Sequence, residues 1–239
     1  MIALSQSALT TFHDCPKAYE FYKDRVQGMF WDFDPLDIGK YVHKALEDYY
    51  KKSFLTKGDA DDIVIESYHW LKKTWDVTFP PEYLKKAYTC LENHAQWESN
   101  NINNGMNTEP LVEVEITKNG YHGIIDYVDL VKDKVIDWKT NTWPTLSYTY
   151  RMQASVYKEL YDAKFNRDLT HFYFFFLYSN TWRTVKYNTE KQKEVAEYVR
   201  KLKDEVKDCY QDEEFPRKPR TDKMCENCLY KWYCRREDG

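Results

Sequence analysis

Glycine is scarce in this chain, 7 residues of 239, and proline supplies only 8. That scarcity excludes collagen-like and glycine–proline low-complexity sequence, and no internal repeat interrupts the chain. Long apolar runs are missing too. None approaches the ~20 residues that a membrane span requires, so no membrane partner is expected. The opening Met1–Phe12 has no basic segment followed by an apolar stretch, so no secretory leader is expected and the protein is placed in the cytoplasm. Thiols stay reduced there, and the six cysteines are accordingly expected as ligands or buried thiols rather than a disulfide framework. An excess of positive charge is also lacking. The formal net charge is −4, an awkward balance for binding a polyanion.

What is present is an ordinary globular mixture, 42% hydrophobic and 31% charged, long enough for one compact domain. Tyrosine (21) and tryptophan (8) are abundant, which suits a core and also suits base stacking. The charge is unevenly spread. Pro216 to Arg236 holds seven Lys/Arg against two Asp/Glu, a local +5, which leaves −9 for the remainder of the −4 chain. A basic tail on an acidic body suits DNA contact at one place and cation binding at another.

Periodicity predicts two short helices from Ser5 to about Lys23, broken at Cys15-Pro16, because proline fits a helix's first turn. Asp37–Lys52 has Val42, Leu46 and Tyr49/Tyr50 at helical spacing, with His43 beside the stripe. Asp61–Trp75 and Glu82–Asn100 are further helices, separated by Pro80-Pro81. Three strands follow at Leu111–Thr117, Tyr121–Val131 and Lys134–Lys139, then a helix at about Tyr148–Lys164. Strands at Leu169–Tyr178 and Thr181–Tyr187 precede a long helix from Thr189 to Cys209 and the cysteine-bearing tail. The order predicts an α+β fold with an α/β-like core, a mixed sheet of about five strands flanked by helices. It is expected as a single domain over 1–239, with a helical insertion at 53–108, a core at 110–190, and 1–24 joined to 210–239.

Strand alternation puts Asp137 and Lys139 on one face, roughly 6.5–7 Å apart along the strand. Ile136 and Trp138 point to the other face, where they pack. Asp126 brings a second carboxylate from the neighbouring strand. Such a set suits a hard cation, Mg²⁺ or Mn²⁺, which prefers oxygen ligands and keeps room for a substrate phosphate. Taken alone, Asp-x-Lys on a strand is ordinarily a solvated pair worth under ~1 kcal/mol.

More residues arrive in order around it. Gly39–His43, Gly123-Ile124-Ile125-Asp126, Asp137-Trp138-Lys139, and Gln153 with Tyr157 together resemble the PD-(D/E)XK nuclease superfamily in its RecB-like branch. Ser5, Ser7, Leu9, Phe12, Cys15-Pro16 and Tyr19 resemble the opening of that branch's iron–sulfur members, among them CRISPR-associated RecB-like exonucleases and AddB-type recombination nucleases. The resemblance implies metal ligation by His43, Asp126, Asp137 and the Trp138 carbonyl, with Lys139 assisting catalysis. Glu113 matches a further acidic position that holds a metal-bound water, and Glu115 competes for it by parity. Gln153 and Tyr157, i and i+4 on one helix face, border the active site in the family and contact substrate or the lysine. The superfamily's proline is absent before Asp126. His122 shares Asp126's parity but matches no family position.

Cys225, Cys228 and Cys234 can converge on one centre, and a fourth thiol must come from elsewhere. Thiolate chemistry alone leaves zinc and iron–sulfur both open. The resemblance implies a 4Fe–4S cluster completed by Cys15, with zinc the lesser alternative and Cys209 the rival fourth ligand. Tyr230, Trp232 and Tyr233 are candidates to shield it, and Cys90 is expected as a buried thiol. The implied activity is metal-dependent hydrolysis of DNA, single strands and exonucleolytic cutting favoured. Trp70, Trp75 and Trp97 are candidates for stacking, and Arg217, Lys218, Arg220 and Lys223 for backbone contact. A helicase, CRISPR-adaptation or recombination protein is the expected partner. The rivals are a catalytically inactive nucleic-acid-binding module and an iron–sulfur electron carrier.

Overall fold

The computed structural model describes residues 3–24, 36–56, 80–103 and 108–237. The helix expected at Asp61–Trp75, with Trp70 and Trp75, lies outside them. The chain opens with a two-residue strand β1 (Leu4–Ser5), then helices α1 (Gln6–Asp14) and α2 (Pro16–Lys23). Ser5 caps α1 by accepting from the Ala8 N–H, and Pro16 starts α2 where its missing N–H is harmless. Helices α3 (Leu36–Thr56) and α4 (Pro81–Asn103) precede three strands, β2 (Leu111–Lys118), β3 (Tyr121–Asp129) and β4 (Lys134–Lys139). After them come α5 (Tyr148–Phe165), β5 (His171–Phe176), β6 (Thr181–Lys186), α6 (Glu190–Asp212), and two short tail helices, α7 (Asp222–Glu226) and α8 (Lys231–Glu237).

The six strands form one mixed sheet, as expected for α+β. β2 covers one edge of β3 from Tyr121 to Val128, antiparallel. The other edge is shared. β1 pairs in parallel with Tyr121 and His122, and β4 pairs antiparallel only with Tyr127, Val128 and Asp129. Gly123 to Asp126 therefore face a gap between the two partners. Beyond Ile136, β4 continues in parallel with β5, whose antiparallel neighbour β6 forms the far edge.

Two apolar cores cover the sheet. On one face, α1, α5 and α6 contribute Leu9, Phe12, Val156, Leu160, Val199 and Leu202 against Ile125, Phe172 and Phe174. On the other, α3 and α4 contribute Val42, Leu46, Tyr50 and Leu91 against Tyr127, Ile136, Trp138 and Phe175. Ile136 and Trp138 thus bury as their alternation predicts. Trp97 belongs to this second core, in ring contact with Phe175 and Trp182, so it is not free to stack on a base.

Gly123 marks where α5 presses on the sheet. A Cβ built there lies 2.9 Å from both Leu160 Cδ1 and Tyr157 Cε1, and the tyrosine ring has little room to yield. Gly123→Val is expected to overpack this contact and cost about 1–3 kcal/mol of stability, seen as a lower urea midpoint with an unchanged m-value.

Candidate active site

Each polar group of the site is delivered by an element whose other face is buried. α3 packs Ile38, Val42, Ala45 and Leu46 into the core, which leaves His43 at the rim of that stripe, over β4. His43 Nε2 donates to the Trp138 carbonyl at 2.9 Å, and its ring stands edge-on to the indole. Its Nδ1 faces Asp126 Oδ1 at 3.5 Å and Glu113 Oε1 at 3.8 Å. Asp126 sits at the end of the gap in β3. There Oδ2 accepts the Trp138 N–H at 2.6 Å, so a side chain takes the place of a missing ladder bond.

Glu113 reaches this place through an unusual backbone. It has φ 48 in the middle of β2, flanked by the pairs Val112↔Tyr127 and Val114↔Ile125. A non-glycine residue there carries roughly 1–2 kcal/mol of strain, which concentrates at functional sites. The twist aims the Glu113 carboxylate at His43 and Asp126. Glu115, its competitor by parity, instead points outward near His122, 3.9 Å away. His122 also bonds Thr117 and takes no part in the site. Among the described residues, His43, Glu113 and Asp126 are the one group of three acidic, histidine or thiol side chains whose ligand atoms all lie within 4.8 Å of one another.

Asp137 stands beside this trio rather than in it. Its Oδ1 accepts from Gln153 Nε2 at 2.6 Å, and its Oδ2 lies 2.7 Å from the Lys139 ammonium in an ion pair. Lys139 in turn donates to Gln153 Oε1 at 3.0 Å. One amide thus holds both members of Asp-x-Lys, which is the task α5 performs. Tyr157, one turn on, is buried beside Gln153 and packs on Phe172, so it supports the site through the glutamine. Tyr150, which the sequence pattern did not single out, lies with its ring centre 4.9 Å from the Lys139 ammonium. Its position one turn before Gln153 on the same helix face was the available signal.

The electrostatics favour a cation. Burial, reinforced by the charge of Asp126, pushes the Glu113 carboxyl up to about 7. Burial also raises Asp137, against the pull of Lys139. Burial opposes charge on His43, yet the Asp126 carboxylate outweighs it and holds the imidazole at about 9. Lys139 is likewise raised, because Asp137 and Asp126 outweigh its desolvation. Three crowded carboxylates, with Glu113 Oε1 buried and unbonded, form an oxygen-rich donor set whose chemistry suits a hard dication.

A family model decides the family. A sequence model described as the PD-(D/E)XK nuclease superfamily matches residues 3–235. The chain belongs to the PD-(D/E)XK nuclease superfamily. Membership implies a nuclease that works on nucleic acid with a divalent metal. No curated protein matches the chain. A solved structure described as the crystal structure of SSO0001 aligns with 13% identity and a TM-score of 0.34, over 73% of this chain and 96% of that one. Among the described residues, no helix of this superfamily member is long and apolar enough to cross a membrane.

The cysteines lie elsewhere. A cleft of about 770 Å³ between the α1–α2 corner and the tail is lined by Cys15, Cys225, Cys228 and Cys234, while Cys90 is buried in the α3–α4 core and Cys209 packs against the other core. Tail and corner are joined by backbone bonds, Lys17 N–H to the Pro216 carbonyl (3.2 Å) and Arg220 N–H to that of Asp14 (2.9 Å). The Tyr230 N–H donates to Cys228 Sγ at 3.4 Å, and Arg217 to Cys225 Sγ at 3.8 Å. Burial and then the nearby Cys15 and Cys225 raise the Cys228 thiol, against the pull of the Tyr230 N–H. Phe21 contacts Tyr230 and Tyr233, but Trp232 is 59% exposed and shields nothing. Of the four basic tail residues, Arg217 and Arg220 are engaged with Cys225 and Asp14, and Lys218 and Lys223 are exposed.

Proposed function

We propose that this chain is a Mg²⁺- or Mn²⁺-dependent deoxyribonuclease that digests single-stranded DNA from an end, in the RecB-like iron–sulfur branch of its superfamily. The observation that carries this is the His43–Glu113–Asp126 trio with the Asp137–Lys139–Gln153 set beside it. His43, Asp126, Asp137 and the Trp138 carbonyl would hold the ion, with Glu113 bonding a water beside it. Bound there, the metal supplies Lewis acidity to the phosphate and an acidified water. Lys139, oriented by Gln153, neutralises negative charge that builds on the scissile phosphate. Tyr157 keeps Gln153 in place.

The cluster reading is supported by four thiols lining one cleft with N–H donors aimed at two of them. Residues 1–24 and 210–239 would then be a cluster-binding region on a core at 110–190, with 53–108 as a helical insertion. A helicase, recombination or CRISPR-adaptation protein that supplies unwound ends, in the cytoplasm, belongs to the same reading.

The test is digestion of labelled linear and circular single-stranded DNA with Mn²⁺. Linear DNA should shorten, circular DNA should survive, and a chelator should stop the reaction. Binding of both DNAs without cleavage would favour an inactive binding module instead, and cutting of the circle would make the enzyme an endonuclease.

A further inference from the structure

The loop that leaves Lys139 carries a feature that the metal site does not use. We propose that Trp143 is a stacking platform for one nucleobase of the strand being cut, an assignment that rests on the nuclease reading above. Its side chain is 78% exposed, matched among the large apolar side chains described only by Val131. The exposure is not that of a loose loop. The Trp143 carbonyl accepts from Asn141 Nδ2 at 2.8 Å and from the Thr145 N–H at 2.9 Å. Arg183 Nε donates to the next carbonyl, that of Pro144, at 2.9 Å.

The same bonds tie Trp143 to the chemistry. Lys139 sits over the Tyr150 ring, the Tyr150 hydroxyl donates to Asn141 Oδ1 at 3.3 Å, and Asn141 holds Trp143. One ring and one amide separate the loop from the lysine. An exposed indole, carried on a bonded loop that leads from the Lys139 strand, suits a base, because every base offers a π-face whatever the sequence. Its loop is already ordered, so less entropy is lost on stacking. A protein partner would need a wider apolar patch, and the adjacent Thr142 and Thr145 are exposed and polar.

The experiment uses a fluorescein-labelled oligothymidylate and a series in which one abasic residue is moved through it. Binding is measured with Ca²⁺ and cleavage with Mn²⁺, for the wild-type chain, Trp143→Ala and Trp143→Phe. Trp143→Ala should weaken binding and raise KM by about tenfold or more, with a much smaller change in kcat. Trp143→Phe should keep most of the affinity. An abasic residue at one position should cost the wild-type chain the same factor and cost Trp143→Ala nothing further. Unchanged binding in Trp143→Ala, or abasic losses that add in full at every position, would overturn the proposal. A wild-type chain that binds with the abasic pattern yet cuts nothing keeps the platform and removes the nuclease. Cleavage indifferent to Trp143 does the reverse.

Discussion

Asp137→Asn is expected to lower single-turnover cleavage of single-stranded DNA by about a thousandfold or more, while the melting temperature moves by only a few degrees. The substitution is isosteric. An asparagine carbonyl at this position still accepts from Gln153 Nε2, so the shape around α5 is kept. What disappears is one buried negative charge. In the proposed site that charge binds the metal and anchors Lys139, whose ammonium is 2.7 Å away. Metal-derived stabilisation of the developing charge is worth several kcal/mol, and each ~1.4 kcal/mol is tenfold in rate.

The small stability effect follows from two opposed changes. Burial raises the Asp137 carboxyl, and Asp126 raises it further, so neutralising it relieves repulsion. Lys139 then loses the anion that offsets its own desolvation. Gln153→Leu is the comparison, since Gln153 acts only by orienting its neighbours. It should cost about ten- to a hundredfold, the range for residues that orient ligands from behind. Cleavage by Asp137→Asn within tenfold of the wild-type rate, at matched Mn²⁺, would remove Asp137 from the site.

Much of this site was legible because strand alternation and helix spacing are local. β4 runs from Lys134 to Lys139 as its pattern predicts, and Ile136 and Trp138 are buried while Asp137 and Lys139 meet Gln153. The α3 stripe placed His43 at a buried edge in the same way. Glu113 was less accessible. Parity puts it on one face with Glu115, and only the left-handed backbone at Glu113 separates them. β1 could not be read because two residues carry no period, and its partners Tyr121 and His122 are remote in sequence. α7 and α8, five and seven residues long, are too short for a helical stripe to show. The Tyr150–Asn141–Trp143 connection is a set of side-chain bonds across a loop, which spacing does not encode.

Those short tail helices set up the second large effect. If the proposed centre is iron–sulfur, wild-type protein should be brown and contain iron and sulfide, and Cys228→Ser is expected to lose the colour, iron and sulfide and to melt about 10 °C lower. Phe215 is the last of the described residues buried in an apolar core. Beyond it the tail offers little to hold it, with Leu229, Trp232 and Tyr233 all exposed. Helices of this length do not persist alone, and the described contacts that hold the tail include two backbone bonds, the Arg220–Asp14 pair and the contacts of Phe21, to which the proposed cluster would add. Linking Cys15 to Cys225 constrains a loop of about two hundred residues, worth up to ~5 kcal/mol in chain entropy. At ~2–4 °C per kcal/mol for a chain of this size, loss of that link gives the expected shift. Limited trypsin digestion should then cut first among Arg217, Lys218, Arg220 and Lys223. Cys209→Ser is the control, because its thiol lies outside the cleft and should leave iron content unchanged. Full iron and an unshifted melting point in Cys228→Ser would deny this cysteine its place in the cluster, and zinc in place of iron in the wild-type chain would change the centre but not the role of the cleft.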